Sequence, residues 1–205
     1  MPKVKKIKEQ KNIEYISRPE NHRIVALDVS LEHTGVSIIR LDSQNAHVLN
    51  EVIEINRGKK KEERIIGPQR LSMIKTRLNE LVQGGDLVII EGYAFGAKGS
   101  SAISLGELGG VIRTWLYESN IKFVEIPPTQ IKKFITGSGI AAKEIMLKEV
   151  FKRYGFDTND NNLADAYAIS ELGLALIGDK TCILNAGQKT IVHDILNHNQ
   201  IVSLN

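Results

Sequence analysis

Two short apolar runs, Ile24–Leu27 in IVALDVS and Leu87–Ile90 in DLVIIEG, are nearly continuous rather than alternating, and each ends on a carboxylate. A strand with a polar residue at every second position covers one sheet face, whereas an unbroken apolar run needs cover on both. The chain is therefore expected to form an α/β fold, a sheet with helices on its two sides and with Asp28 and Glu91 at strand ends. A late helical segment, NNLADAYAIS, supplies a third acid, Asp165, between two alanines. Carboxylates at the edge of a core are costly unless solvated or matched by a cation. Acids from three separate elements point to a shared site with hard oxygen ligands for Mg²⁺, with Mn²⁺ as a possible substitute.

The order of elements follows from periodicity and breakers. Arg23–Ser30, Gly35–Leu41 and His47–Ile55 read as strands, the last two joined by the turn-like Asp42–Asn45. Apolar residues between Ile65 and Val82 have helical spacing, interrupted by Gly67-Pro68. Asp86–Glu91 and Lys122–Ile126 are further strands, with a glycine-rich loop and a helix over Ser104–Glu118 between them. Short and longer helices are expected over Thr129–Ile135 and Ala142–Tyr154, then over Asn162–Leu176 with Ala164, Ala168, Leu172 and Ala175 on one small face. The division expected is a basic tail over 1–22, a main α/β domain over 23–178 and an extension over 179–205 without catalytic pattern.

Charge is what suggests the substrate. The chain carries only +3 overall, yet residues 1–23, 57–77 and 122–153 carry +4, +6 and +4. Such clusters suit a polyanion, and they leave the acids to hold metal. Solvated lysine faces remain the bland alternative. With no apolar run of membrane-spanning length, no secretory signal and Cys182 as the single cysteine, a cytoplasmic, DNA-associated protein without a membrane partner is expected.

Each acid also has an ordinary explanation. Asp28 can shape a turn together with Ser30 and Thr34, and Glu91 can cap a neighbouring helix. Asn162, one helical turn before Asp165, either offers an oxygen to metal or caps the helix. Asp160 is the nearest spare carboxylate. The five histidines are scattered, and His33, the one near a proposed ligand, reads as a loop residue rather than a base. Convergence of the acids favours hydrolysis of a phosphodiester, in which two ions ~4 Å apart divide activation of water and stabilisation of the departing oxygen. Around that centre, Tyr93 and Phe95 are candidates to stack on bases, and Lys98, Lys132, Lys133 and Lys143 to meet phosphates. Lys143 is also a candidate to stabilise the transition state. The Gly137-Ser138-Gly139 turn is expected to offer backbone amides to phosphate.

The ordered set IVALDVSLEHTGVSII, LVIIEGYAFGAKGSSAISLGELGGVIR, VEIPPTQIKKFITGSGIAAKEIM and NNLADAYAIS resembles the RuvC family of Holliday-junction resolvases, within the RNase H-like superfamily. The resemblance spans roughly Arg23–Gly178. It implies a mixed five-stranded sheet flanked by helices, a homodimer, and paired nicks across four-way DNA junctions leaving 5′-phosphate and 3′-hydroxyl ends. On that pattern Asp28, Glu91 and Asp165 are the three acids, Asn162 stands where a fourth carboxylate is usual, and Lys132 and Lys143 match two DNA-facing basic positions. Wider branched-DNA, flap or RNA–DNA hybrid cleavage, and junction binding without catalysis, are the competing readings.

Overall fold

A computed structural model describes residues 14–41, 46–92, 100–197 and 201–202. Strand β1 (Arg23–Asp28) lies at the centre of a sheet, with β2 (His33–Arg40) antiparallel to it on one side and β3 (Ala46–Glu54) antiparallel in turn to β2. On the other side β4 (Leu87–Glu91) and β5 (Lys122–Ile126) run parallel to it. The five expected strands are thus present in the order β3-β2-β1-β4-β5. A two-residue sixth strand is added at the β5 edge, where Phe123 pairs with Val202 and Val124 with Ile201.

The unbroken apolar runs do require cover on both faces. Val25, Leu27, Val88, Ile90 and Phe123 pack in one cluster with Ile74 and Leu78 of α1 (Gly67–Leu81) and with Leu108 and Ile112 of α2 (Ser100–Glu118). The alternate residues Ile24, Ala26, Leu87, Ile89, Val124 and Ile126 pack against four further helices. These are α3 (Pro128–Thr136), α4 (Lys143–Tyr154), α5 (Asn161–Leu176) and α6 (Ala186–Asn197). Fully burying each such branched side chain contributes roughly 1.5–3 kcal/mol. The small face of α5 lets it lie against the sheet: a Cβ on Gly173 would stand 3.0 Å from Ile24 Cγ2 and 3.2 Å from Ile89 Cγ1.

Several boundaries differ from the sequence reading. Gly67-Pro68 opens α1 instead of interrupting it, since a missing N–H is harmless in a first turn. Helix α2 begins at Ser100, four residues earlier than periodicity suggested. Ser30 lies beyond β1: its hydroxyl accepts from the His33 N–H at 3.0 Å, and its carbonyl accepts from the Thr34 hydroxyl at 2.6 Å. His33 is the first residue of β2 rather than a loop residue. Residues 14–22 are docked: the Ile16 N–H donates to the Leu176 carbonyl at 3.0 Å, and the Arg18 guanidinium pairs with Asp179. After Gly178, α6 seals one end of the core with Ile191, Val192 and Ile195. No helix among the described residues is long and apolar enough to cross a membrane.

Candidate active site

Strand parity brings the first two acids together. Ile24 and Ala26 of β1 and Leu87 and Ile89 of β4 face α5, so the next alternate residues, Asp28 and Glu91, face it too. The strands are parallel with Leu27 opposite Ile90, which sets Asp28 beside Glu91 at the same end of the sheet. The ladder closes one residue further on, where the Gly92 N–H donates to the Ile126 carbonyl at 2.9 Å.

The third acid arrives with the first turns of α5. Asp160 caps that helix, its carboxylate accepting from the N–H groups of Asn162 at 2.8 Å and Leu163 at 3.2 Å. It also accepts from the Asn162 amide at 3.2 Å. Asp160 is therefore engaged as the cap rather than a spare carboxylate, and Asn162 is not the cap. With the helix so started, Asn162 and Asp165 line a pocket together with Asp28 and Glu91.

The pocket has a volume of about 560 Å³, and Ser30, Lys132, Lys143 and Met146 contribute to its wall. A stripe of α2 at helical spacing, Ala102, Leu105, Gly109 and Ile112, forms another wall. Arg113 follows on from that stripe, held by Glu125 of β5 through its Nη2 at 2.7 Å. Arg113 was missed by sequence reasoning, although the three- and four-residue spacing of its neighbours was legible. Lys133 lies exposed on α3, outside the pocket wall, so the two adjacent lysines do not act from one place. The Gly137 and Ser138 amides are not free for phosphate: they donate to the Lys133 carbonyl at 2.9 Å and to Thr136 Oγ1 at 3.1 Å. Tyr93, Phe95 and Lys98 lie outside the described residues.

Three carboxylates and three cations line the pocket, but one of the cations, Arg113, is already paired with Glu125. Asp28 is only 8% exposed. Burial lifts its carboxyl well above the usual carboxylate range, and the charge of Glu91, a hydrogen bond to Glu91 and the charge of Asp165 push the same way. Lys143 pulls it back in part. Asp165 is pushed up to about 6, first by burial and then by Glu91, with Lys143 and Lys132 opposing. The charge of Glu91 thus lifts both Asp28 and Asp165, and Asp165 adds to the lift on Asp28. Among the described residues, no three His, Cys, Asp or Glu side chains stand close enough to hold one metal ion as placed. The donors nonetheless fit a hard divalent cation: all are oxygens, and with Arg113 paired to Glu125 the three carboxylates face only Lys132 and Lys143.

The sequence model for the crossover junction endodeoxyribonuclease RuvC matches residues 24–171, a span that includes all three acids. The chain belongs to the RuvC family. The RuvC of Prochlorococcus marinus strain MIT 9301 is 34% identical over 155 residues, covering 72% of this chain and 93% of that protein. The RuvC of Brachyspira hyodysenteriae is 38% identical over 104 residues, half of this chain and 65% of that protein. In fold, the chain is similar to Thermus thermophilus RuvC in complex with a Holliday junction substrate. The TM-score is 0.59 at 22% identity, covering 78% of this chain and 97% of that one. RuvC-family membership classes the chain as a crossover junction endodeoxyribonuclease and implies a metal-dependent nuclease mechanism. The docked residues 14–22 and helix α6 fall outside the RuvC match.

Proposed function

We propose that this chain is a Mg²⁺-dependent endonuclease that resolves four-way DNA junctions, with Mn²⁺ able to substitute. The observation that carries the reading is that Asp28 and Glu91, side by side on adjacent parallel strands, line one pocket with Asp165, Lys132 and Lys143. Asp28, Glu91 and Asp165 would hold the ions, with the Asn162 amide oxygen as a neutral fourth donor. Bound Mg²⁺ supplies activation of the attacking water and stabilisation of charge on the phosphate and on the departing 3′ oxygen.

The remaining work falls to the chain's own residues. Lys143 lies within electrostatic reach of both Asp28 and Asp165, and its ammonium is placed to hold a non-bridging oxygen of the scissile phosphate. Lys132, from α3, holds the neighbouring phosphate and fixes the strand across the acids. Water attacks phosphorus, the bond to the 3′ oxygen breaks, and that oxygen takes a proton, leaving 5′-phosphate and 3′-hydroxyl ends. A four-way junction presents two equivalent strands, so a homodimer with one centre per subunit gives paired, symmetry-related nicks. Tyr93, Phe95, Lys98 and Lys133 are proposed to contact DNA around that centre.

The test is a cleavage panel of immobile four-way junction, flap, linear duplex and RNA–DNA hybrid in Mg²⁺, followed by end analysis. Paired nicks in the junction with 5′-phosphate ends are expected. Preferential cutting of flap or hybrid would favour a broader nuclease. Tight junction binding without products in either Mg²⁺ or Mn²⁺ would favour a non-catalytic binder.

A further inference from the structure

A second cationic surface stands at the same end of the sheet as the acids. Gly35 of β2 pairs with Asp28 on one side and with Val52 of β3 on the other, and His33 pairs with Glu54. Strands β1, β3 and β4 therefore all finish at this end, and β2 starts there. The chain leaving β3 forms a loop whose residues 57–64 are all exposed. It carries Arg57, Lys59, Lys60, Lys61 and Arg64 against Glu62 and Glu63, a net charge of +3.

This loop has a fixed shape. Buried Asn56 clamps its far end, accepting from the Ile65 N–H at 2.8 Å and donating to the Ile65 carbonyl at 3.0 Å. The same amide reaches Glu32 at 3.3 Å, and Arg70 holds that carboxylate at 2.7 Å. Glu32 lies in the connection that follows Asp28, so the loop is tied to the turn leaving the catalytic strand. Within the loop, the Lys59 N–H donates to the Asn56 carbonyl at 3.1 Å and the Glu63 N–H to the Lys60 carbonyl at 3.0 Å.

Its cations are mostly unmatched. Arg57 pairs with Glu54 at 2.7 Å, while Lys59, Lys60, Lys61 and Arg64 make no ion pair among the described residues. Elsewhere Arg70, Arg77 and Arg113 each have a carboxylate partner. Four like charges on a pre-shaped loop repel one another and add nothing to folding, but they favour a polyanion. Adjacent strands are ~4.8 Å apart, so β3 stands about 10 Å from β1. The loop extends from there, on the flank opposite Lys132 of α3, which follows β5.

We propose that the 57–64 loop is a second phosphate-binding surface, which holds the sugar-phosphate backbone of the duplex arm continuing beyond the cut site. The proposal rests on the nuclease reading above. With Lys132 and Lys143 on one side and this loop on the other, the acids lie between two cationic supports, and the strand is held on both sides of the scissile phosphate.

The test compares the unsubstituted chain with K59Q/K60Q/K61Q/R64Q, using a labelled immobile four-way junction in EDTA between roughly 50 and 200 mM KCl. Each lost phosphate contact lowers the slope of log affinity against log salt by about 0.9, so a decrease of about 2–3 and at least roughly tenfold weaker binding at low salt are expected. E62Q/E63Q should move affinity the opposite way. Single-turnover cleavage at saturating protein should be equal for wild type and quadruple variant, and matching thermal melts establish intact folding. An unchanged salt slope in a folded variant, beside a wild type that cuts junctions, overturns this inference alone. A wild type that neither binds nor cuts branched DNA overturns the nuclease reading itself.

Discussion

The carbonyl oxygen of Asn162 occupies the space where a side chain on Gly35 would begin: a Cβ there would lie 2.2 Å from it. Gly35 is also the register partner of Asp28. The absence of a side chain at position 35 therefore lets the first turn of α5 settle on the sheet beside the β1 carboxylate. Gly35→Ala should push that turn away and separate Asp165 from Asp28. Overpacking of this kind typically costs about 1–3 kcal/mol. A lower melting temperature and cleavage reduced by roughly 100-fold, in line with ångström-scale misplacement, are expected from melts and single-turnover assays.

The acids of the proposed centre weaken the metal-free fold. Asp165 is lifted from 3.8 to about 6, so the folded protein holds this proton more tightly than the unfolded chain does. Its effect is absent below pH 3.8, and it lowers stability progressively as pH rises through about 6. Asp28 is shifted in the same direction. Asp165→Asn should remove its part of that decline, gaining up to roughly 3 kcal/mol at pH 8 while losing cleavage. Urea melts in EDTA between pH 4.5 and 8 check the first part, and a nicking assay checks the second.

Divalent cations should reverse that weakness. As the proposed ligand of the folded state, Mg²⁺ should raise the melting temperature of the wild type as it saturates the site. Asp28→Asn should abolish most of this rise together with cleavage, and EDTA should do the same to the wild type. Because protons compete for the same oxygens, half-maximal activity should require more Mg²⁺ below about pH 6 than at pH 8. Calorimetric scans and Mg²⁺ titrations at both pH values measure these effects.

Asn162 gives a test of ligand number. Asn162→Asp adds a carboxylate to the pocket wall, so the Mg²⁺ concentration for half-maximal cleavage should fall several-fold and metal-free stability should drop. An unchanged Mg²⁺ requirement would place Asn162 outside the coordination.

Much of this centre is visible in the chain because it depends on local rules. Runs such as Ile24–Leu27 and Leu87–Ile90 require two covered faces, and strand parity then decides where Asp28 and Glu91 point. Other features depend on contacts that the sequence does not display. Only the packed structure reveals that Gly35 admits the α5 backbone, or that Asp160 is engaged as the helix cap. The Gly67-Pro68 pair can break or begin a helix, and its neighbours decide which. Helix α6 is weakly patterned and gains its place from the core end that it seals. Arg113 sits one residue past a legible α2 stripe, yet the carboxylate that holds it, Glu125 of β5, is a partner that the sequence does not display.

Convergence of Asp28, Glu91 and Asp165 on divalent ions is tested most sharply by anomalous diffraction from crystals of this chain soaked in Mn²⁺. Density bounded by those three carboxylates, with Lys143 nearby, is expected. Full-occupancy Mn²⁺ bound only elsewhere, with these acids free of it, would rule the metal centre out.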